Sequence, residues 1–145
     1  MKKDYLNPKA VFHSPYFTHT VAVSGAQKLV FVAGQVSYDA SGKVVAPGDM
    51  RAQTEQVFES LTHNLKAAGA GWGDVVKING YMVDLNPERL TQYRDARTRY
   101  LVPGKLPAST LVGVERLVHD DLLLEVEVIA AVAGSRKKTV RKKER

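Results

Sequence analysis

The segment Leu122-Leu-Leu-Glu-Val-Glu-Val-Ile-Ala-Ala-Val132 alternates with the period of two residues that is typical of a β-strand. All of its even-numbered residues are apolar and share one face, which we predict to pack under helices. The odd-numbered face carries Glu125 and Glu127 between apolar residues at both ends. Such a face is too apolar to be freely solvated, so the strand is predicted to lie in a sheet with both sides covered.

Upstream of this segment the sequence predicts two helices and four further strands, without an internal repeat or linker. The first helix has Asp49 as its predicted N-cap and Gly69 as its stop. The second begins with Asn86 as N-cap and Pro87 at its first helical position. The two earliest strands are expected to pair as a hairpin through a turn at residues 24–27. The predicted elements are, in chain order, strands 19–24 and 28–34, a helix at about 50–68, strand 74–83, a helix ending at about 100, and strands 109–114 and 122–132.

The resulting order, β-β-α-β-α-β-β, predicts a single α+β domain in which a sheet packs against two helices. Residues 28–34 are similar to the last strand, because apolar side chains occupy both of their faces. Two helices of the predicted lengths can cover only one side of such a sheet. The other side is therefore expected to contact another subunit.

The positive charge of the protein is concentrated at its C-terminal end. The 145 residues carry a net charge of +6, from 21 basic and 15 acidic side chains. Residues 134–145 hold seven of the basic and one of the acidic residues, and residues 1–133 carry 14 of each sign. We interpret 1–133 as the folded domain and 134–145 as a basic, solvated and disordered tail. An arm that binds nucleic acid is the alternative interpretation of the tail.

The composition and spacing of residues exclude several classes of site. Cysteine is absent, which rules out disulfide bonds, thiolate metal ligands and a cysteine nucleophile. The four histidines lack the spacing of metal ligands, so we expect no metal site. No apolar run approaches about 18 residues and no signal core follows residues 1–6, so we expect a cytoplasmic protein without membrane contact. The predicted domain shows no stripe of aromatic and basic residues, which argues against a nucleic-acid surface.

A series of short motifs occurs in a fixed order within residues 10–133. The ordered set resembles the RidA/YjgF family, also labelled L-PSP endoribonuclease or translation-inhibitor proteins. The resemblance implies a chorismate-mutase-like α+β fold and a homotrimer around a central barrel of sheets, with a ligand cleft at each subunit interface. The motifs are Ser-Pro-Tyr at 14–16, Val-Ala-Gly-Gln at 32–35, Leu-Lys-Ala-Ala-Gly-Ala at 65–70, Asp-Val-Val-Lys at 74–77, Met-Val-Asp-Leu-Asn at 82–86, Leu-Pro-Ala-Ser-Thr at 106–110 and Glu-Val-Glu-Val-Ile-Ala at 125–130.

The resemblance also implies a chemistry and a set of site residues. Reactive enamines and imines, such as 2-aminoacrylate and its imine tautomer, would be hydrolysed to a 2-keto acid and ammonia without cofactor or metal. Glu125 would position and activate the attacking water, while Tyr16, Gly34 and Gln35 would line the cleft. Each residue suits its role, since a carboxylate can act as a base and a glycine permits close approach of the backbone to a ligand.

One position departs from the family pattern. The arginine that grips the substrate carboxylate in the family is replaced here by Ser109. A guanidinium binds a carboxylate through two charge-assisted hydrogen bonds, whereas a hydroxyl supplies one neutral bond. The replacement is expected to cost about 1.5–3 kcal/mol of substrate binding. Arg94 and Arg97, on the second predicted helix, are interpreted as part of its solvated face, with contact to a ligand as the alternative.

Structural explanations of the same residues remain open at this point. Gly34 could end a strand, Tyr16 could be a packing residue, and Glu125 could form a surface pair with Glu127. Three functions are compatible with the sequence. We prefer an imine or enamine deaminase with a non-standard substrate over a non-catalytic trimer that binds a small metabolite. An RNA-directed translation inhibitor or endoribonuclease is third, because residues 1–133 carry no net charge.

Overall fold

A four-stranded sheet covered on one face by two helices forms the body of the protein. The computed structural model describes residues 1–134, so the predicted basic tail lies almost entirely outside the described residues. The elements within 1–134 are β1 (Lys2–Leu6), β2 (Thr20–Ser24), β3 (Lys28–Val36), α1 (Met50–Ala67), β4 (Val75–Val83), α2 (Pro87–Thr98), β5 (Ala108–Val114) and β6 (Leu124–Val132).

The last strand of the chain lies inside the sheet, whose strand order is β3-β6-β4-β5. β6 pairs antiparallel with both β3 and β4, and β4 pairs parallel with β5. Parallel neighbours need a crossover connection, which α2 supplies between β4 and β5. α1 packs against β3, β6 and α2, so the helices share one side of the sheet. The predicted α+β arrangement of a sheet on two helices is confirmed.

The predicted hairpin between β2 and β3 is wrong. β2 pairs antiparallel with β1, and the two strands form a separate ribbon. The sequence pattern does not predict β1. β3 pairs instead with the central strand β6. The physical reason is burial: Val30 and Val32 of β3 are buried in the core beneath α1, whereas β2 contains no buried residue.

The helix-facing side of β6 is the centre of the hydrophobic core, as predicted. Leu124, Val126, Val128 and Ala130 are almost completely buried there. The apolar face of α1 is also buried, with Val57, Leu61 and Leu65 fully enclosed.

The predicted helix starts are confirmed by their caps. The Asp49 carboxylate accepts a hydrogen bond from the backbone N–H of Ala52 at 3.0 Å, and the Asn86 side chain accepts one from Arg89 N–H at 3.0 Å. Gly69 follows the end of α1 with a φ of +70°, a conformation that favours glycine. The sequence pattern therefore identified each helix start.

Gln53 joins α1 to two connecting segments from inside the core, where it is 0% exposed. Its Nε2 donates to the backbone oxygens of Ala46 at 3.1 Å and Asp121 at 2.8 Å. Its Oε1 accepts from the backbone N–H of Leu123 at 2.9 Å. One side chain thus satisfies three backbone groups.

Replacing that amide is expected to destabilise the protein strongly. Gln53→Leu leaves the three backbone groups without a partner, and each such loss costs about 1–3 kcal/mol. We expect urea unfolding to show a loss of at least about 3 kcal/mol. The matched control is Gln56→Leu on the same helix, because Gln56 makes a single hydrogen bond, to the Tyr38 oxygen at 2.9 Å. Equal losses in the two variants would contradict this account.

The opposite face of the sheet carries exposed apolar side chains. Leu29 and Phe31 on β3 are 55% and 71% exposed, and Val112 on β5 is 42% exposed. In the register of the strands Phe31 is opposite Ile129 of β6, so these residues share the face that the helices leave open. Among residues 1–134 no helix packs there, which agrees with the predicted uncovered side.

Candidate functional site

Gly34 and Glu125 meet where the pairing of two strands is interrupted. The register between β3 and β6 shifts between Val32 and Gln35, which is the signature of a β-bulge. A Cβ atom added at Gly34 would overlap the carboxylate of Glu125. This carboxylate therefore rests against the backbone of Gly34, an approach that a side chain at position 34 would prevent.

An open depression of about 670 Å³ surrounds this carboxylate. β3 contributes Gly34 and Gln35 to its lining, and α1 contributes His63 and Asn64. The Asn64 side chain donates a hydrogen bond to Oε1 of Gln35 at 3.3 Å. Three of the predicted site residues, Gly34, Gln35 and Glu125, thus line one cavity.

Glu125 and Glu127 have different surroundings although both face the uncovered side of β6. Glu127 accepts hydrogen bonds from the Tyr81 hydroxyl at 2.7 Å and from Nδ2 of Asn79 at 3.2 Å. The bond to Glu127 raises the pKa of Tyr81. Within residues 1–134 the carboxylate of Glu125 forms no hydrogen bond or ion pair. The two glutamates are therefore not a pair, and only Glu127 is engaged by its own sheet.

Tyr16 and Ser109 lie in a second pocket, of about 230 Å³, next to α2. Ser109 is opposite the buried Ile78 in the register of β4 and β5, so its side chain lies on the helix-facing side. Arg97 connects the two residues. Its Nη2 donates to the backbone oxygen of Tyr16 at 2.6 Å, and its Nη1 lies 3.5 Å from Oγ of Ser109.

The prediction that Arg94 and Arg97 form a solvated helix face is wrong for Arg97, which is 4% exposed. It is buried because the segment around Tyr16 crosses the end of α2 and accepts its hydrogen bond. Arg94 lies over the Tyr16 ring, 3.9 Å from the ring centroid. Both guanidinium groups therefore line the pocket that contains Ser109.

The predicted site residues thus form two groups in one chain. Gly34, Gln35 and Glu125 line the larger depression, and Tyr16 and Ser109 line the smaller pocket. The two cavities have no lining residue in common. The structure of one chain does not unite the proposed base with the position that would hold a substrate carboxylate.

Residues 1–134 contain no group of three or more histidine, cysteine, aspartate or glutamate side chains placed to hold a metal ion. In that range neither helix is long and apolar enough to cross a membrane.

Comparison with known proteins identifies the family. The sequence profile described as Endoribonuclease L-PSP matches residues 11–132. The chain belongs to this family, the RidA/YjgF family. A RutC family protein of Pyrococcus abyssi is 38% identical over 101 residues, which are 70% of this chain and 76% of that protein. Protein DfrA of Myxococcus xanthus is 32% identical over 123 residues, or 85% of this chain and 88% of that protein.

A solved structure supports the same assignment for the fold. The crystal structure of YyfB, a protein of the conserved Rid family from Yersinia pestis, superposes with a TM-score of 0.84 at 30% identity. The match covers 91% of this chain and 100% of that chain. The predicted RidA-like domain, a single α+β domain with two helices and a sheet, is confirmed. Trimers are typical of the RidA/YjgF family.

Three polar residues of the smaller pocket, Tyr93, Arg94 and Arg97, are not among the predicted site residues. The sequence places the two arginines on a solvated helix face and gives Tyr93 no role, yet Tyr93 and Arg97 are buried beside each other. Both lie on one face of α2, four residues apart, which places them on neighbouring turns. This spacing was the available signal, because a buried Tyr and Arg on one helix face need polar partners.

Proposed function

We propose that the protein is a cofactor-independent hydrolytic deaminase of reactive imines or enamines. The observation that supports this most directly is the carboxylate of Glu125, which is unpaired within residues 1–134 and rests on Gly34 in an open depression. Buried or half-buried carboxylates are normally engaged by donors, as Glu127 is. A carboxylate that no protein donor engages can accept a hydrogen bond from a water and take its proton, as a general base does.

The reaction that Glu125 would catalyse consumes one water and releases ammonia. The carboxylate takes a proton from the water while the water oxygen bonds to the imine carbon, and the carboxyl group passes this proton to the imine nitrogen, which gives a neutral carbinolamine. The carboxylate then takes the hydroxyl proton of the carbinolamine and passes it to the amino nitrogen, so the carbon–nitrogen bond breaks, ammonia leaves and a 2-keto acid remains. Gln35, held by Asn64, lies where its amide can orient the substrate or the water.

We further propose that the working form is a homotrimer with a small-molecule ligand at each subunit interface. The separation of the two groups of site residues supports this assembly, because a neighbouring subunit could place its Tyr16 and Ser109 beside Glu125. The exposed Leu29 and Phe31 support it as well, since a large apolar face favours burial against another copy. The absence of cysteine from the sequence is compatible with the reducing cytoplasm where we expect the protein to work.

The deaminase proposal is tested by hydrolysis of the imine of 2-aminoacrylate, generated in situ. Formation of the 2-keto acid is followed with the spontaneous reaction subtracted, and the full-length protein is expected to accelerate it. A rate equal to the spontaneous one would contradict the proposal. It would favour instead a non-catalytic trimer that binds a small metabolite, a function supported by the serine at position 109, where the resemblance implies an arginine.

The basic tail provides a test of RNA-directed activity. Deleting residues 134–145 removes the whole net charge of the chain, so any salt-sensitive binding of RNA should vanish with it. The thermal midpoint should remain nearly unchanged, because the tail has little apolar content with which to pack. A drop of many degrees in calorimetry would show that the tail is part of the folded domain. RNA binding that survives the deletion would place an RNA surface on residues 1–133.

A further inference from the structure

Arg97 is a buried cation with only neutral partners in the described chain. Its guanidinium contacts the Tyr16 oxygen, the Ser109 hydroxyl and the face of the Tyr93 ring, 5.1 Å from the ring centroid. No carboxylate of residues 1–134 lies within ion-pair distance of it. A charge removed from water is costly unless a counter-charge or a full set of hydrogen bonds compensates it. Residues 1–134 therefore supply no anionic partner to Arg97.

Tyr93, beside Arg97, is a second buried polar residue of this pocket. Its side chain is 1% exposed, and its hydroxyl has no hydrogen-bond partner among the described residues. The hydroxyl lies above Gly80, where an added Cβ would be 3.5 Å away, on the side of the sheet that carries Ser109. Burial raises the pKa of Tyr93 while the charge of Arg97 opposes this, so the phenol stays protonated and can donate. A buried donor without an acceptor thus lies beside a buried cation without an anion.

The pocket that these groups line has the shape and polarity of a site for a small acid. Its volume is about 230 Å³, and Arg94 adds a second positive charge. No acidic residue lines it. The remaining lining is largely apolar, which suits a short aliphatic chain rather than a phosphate or a sugar. The apolar residues are Phe17, Leu85, Leu90 and Leu111.

We propose that this pocket binds the carboxylate of a small aliphatic acid. Arg97 on α2 supplies the guanidinium for it, in place of the arginine that the resemblance implies at position 109 on β5. Arg97 would bind the carboxylate through charge-assisted hydrogen bonds, with the Tyr93 hydroxyl as an additional donor. The inference rests on the proposed function in one respect, because it specifies how a substrate of the deaminase would be held.

Binding can be measured without turnover by using an unreactive pair of ligands. Butyrate carries the carboxylate and a short apolar chain, and butyramide has nearly the same shape without the charge. Titrations of the full-length protein followed by amide NMR should show butyrate binding in the millimolar range, as expected for a ligand of six heavy atoms. The shifted signals should include Tyr16, Tyr93 and Ser109. Butyramide should bind at least about tenfold more weakly.

Two variants of Ser109 provide the deciding comparison. Ser109→Asp places a carboxylate beside Arg97 and should compete with the ligand, whereas Ser109→Asn adds an amide of nearly equal size without charge. Butyrate should bind the Asp variant at least about tenfold more weakly than the Asn variant. The thermal midpoint of the Asp variant should be no lower, since its carboxylate compensates a buried cation. This comparison leaves Arg97 and its hydrogen bond to Tyr16 in place.

Removal of the charge itself gives a second measurement. Arg97→Met should reduce butyrate affinity at least about tenfold. The matched control is Arg99→Met, two residues further along, because Arg99 pairs with Glu55 at 2.7 Å on the exposed surface. Arg99→Met should bind butyrate as the unmodified protein does.

Three results would overturn the anion site. They are equal binding of butyrate and butyramide, equal butyrate affinity in the Asp and Asn variants of Ser109, and butyrate shifts confined to the Glu125 depression. Failure of the deaminase proposal has a different signature. Butyrate binding that responds to Ser109→Asp, together with no imine hydrolysis, would refute the deaminase and leave the anion site intact. Imine hydrolysis that is unaffected by Ser109→Asp would refute the anion site and leave the deaminase proposal intact.

Discussion

Glu125→Gln is expected to lower the rate of imine hydrolysis by about 10²- to 10⁴-fold, the usual contribution of a general base. The amide keeps nearly the same shape and can still accept a hydrogen bond, but it cannot take a proton from water at neutral pH. In the structure the side chain has no partner among residues 1–134 that the substitution would disturb. Its contact with Gly34 is also preserved in the variant. The effect should therefore appear in the rate and not in the thermal midpoint.

A matched control lies two residues away on the same face of β6. Glu127→Gln makes the same chemical change. In the unmodified protein the Tyr81 hydroxyl donates a hydrogen bond to the Glu127 carboxylate at 2.7 Å, and the amide oxygen of the variant can still accept this bond. We expect this variant to hydrolyse the imine at close to the unmodified rate. Both rates are measured as 2-keto acid formed after subtraction of the spontaneous reaction. Similar losses in the two variants, or none in Glu125→Gln, would remove Glu125 from the reaction.

The elements that could be predicted from the sequence are those whose signals are local. Asp49 and Asn86 identify the helix starts because a cap binds a backbone N–H three residues away, and that distance along the chain is fixed by helix geometry. The even-numbered residues of β6 identify its buried face because strand side chains alternate strictly. Neither inference required knowledge of which elements become neighbours.

Strand pairing could not be predicted in the same way. Residues 19–24 and 28–34 are adjacent in the sequence and separated by turn residues, which favoured a hairpin. The choice between partners is made by burial of one face of β3, where Val30 and Val32 enter the core, and β6 offers that burial from about 100 residues further along the chain. The residues of β1 carry charges at Lys2, Lys3 and Asp4 and show no apolar alternation, so the ribbon that β1 forms with β2 had no sequence signal.

The candidate site also combines residues that sequence motifs identify with residues whose burial depends on long-range contacts. Gly34, Gln35 and Glu125 could be named from motifs, and the structure brings them together, while their functional roles stay predictions. The sequence favours a solvated side chain for Arg97, because a charged residue on a helix is usually exposed. Its burial depends on the segment at Tyr16, whose backbone oxygen accepts from it across 81 positions of sequence. Long-range contacts of this kind have no periodic trace in the chain.

Phe31→Asp is expected to convert a homotrimer into a monomer. Phe31 is 71% exposed in the single chain and lies on the open face of the sheet with Leu29 and Ile129. If Phe31 is buried in the interface, its ring contributes about 1.5–3 kcal/mol to the stability of the trimer at each of the three equivalent interfaces. A carboxylate there would have to be desolvated without a partner, which adds a penalty of several kcal/mol. Light scattering should give three times the chain mass of 16.0 kDa for the unmodified protein and a single chain mass for the variant.

The control for this change is Phe12→Asp, because Phe12 is similarly exposed at 78% but lies outside the described strands. That variant should remain trimeric. If adjacent subunits complete the site, the Phe31→Asp monomer should also lose imine hydrolysis, although its own Glu125, Gly34 and Gln35 remain unchanged. A trimeric Phe31→Asp variant would show that the open face is not the interface. A monomeric unmodified protein would mean that the Glu125 depression and the Arg97 pocket act separately, since the two cavities share no lining residue within one chain.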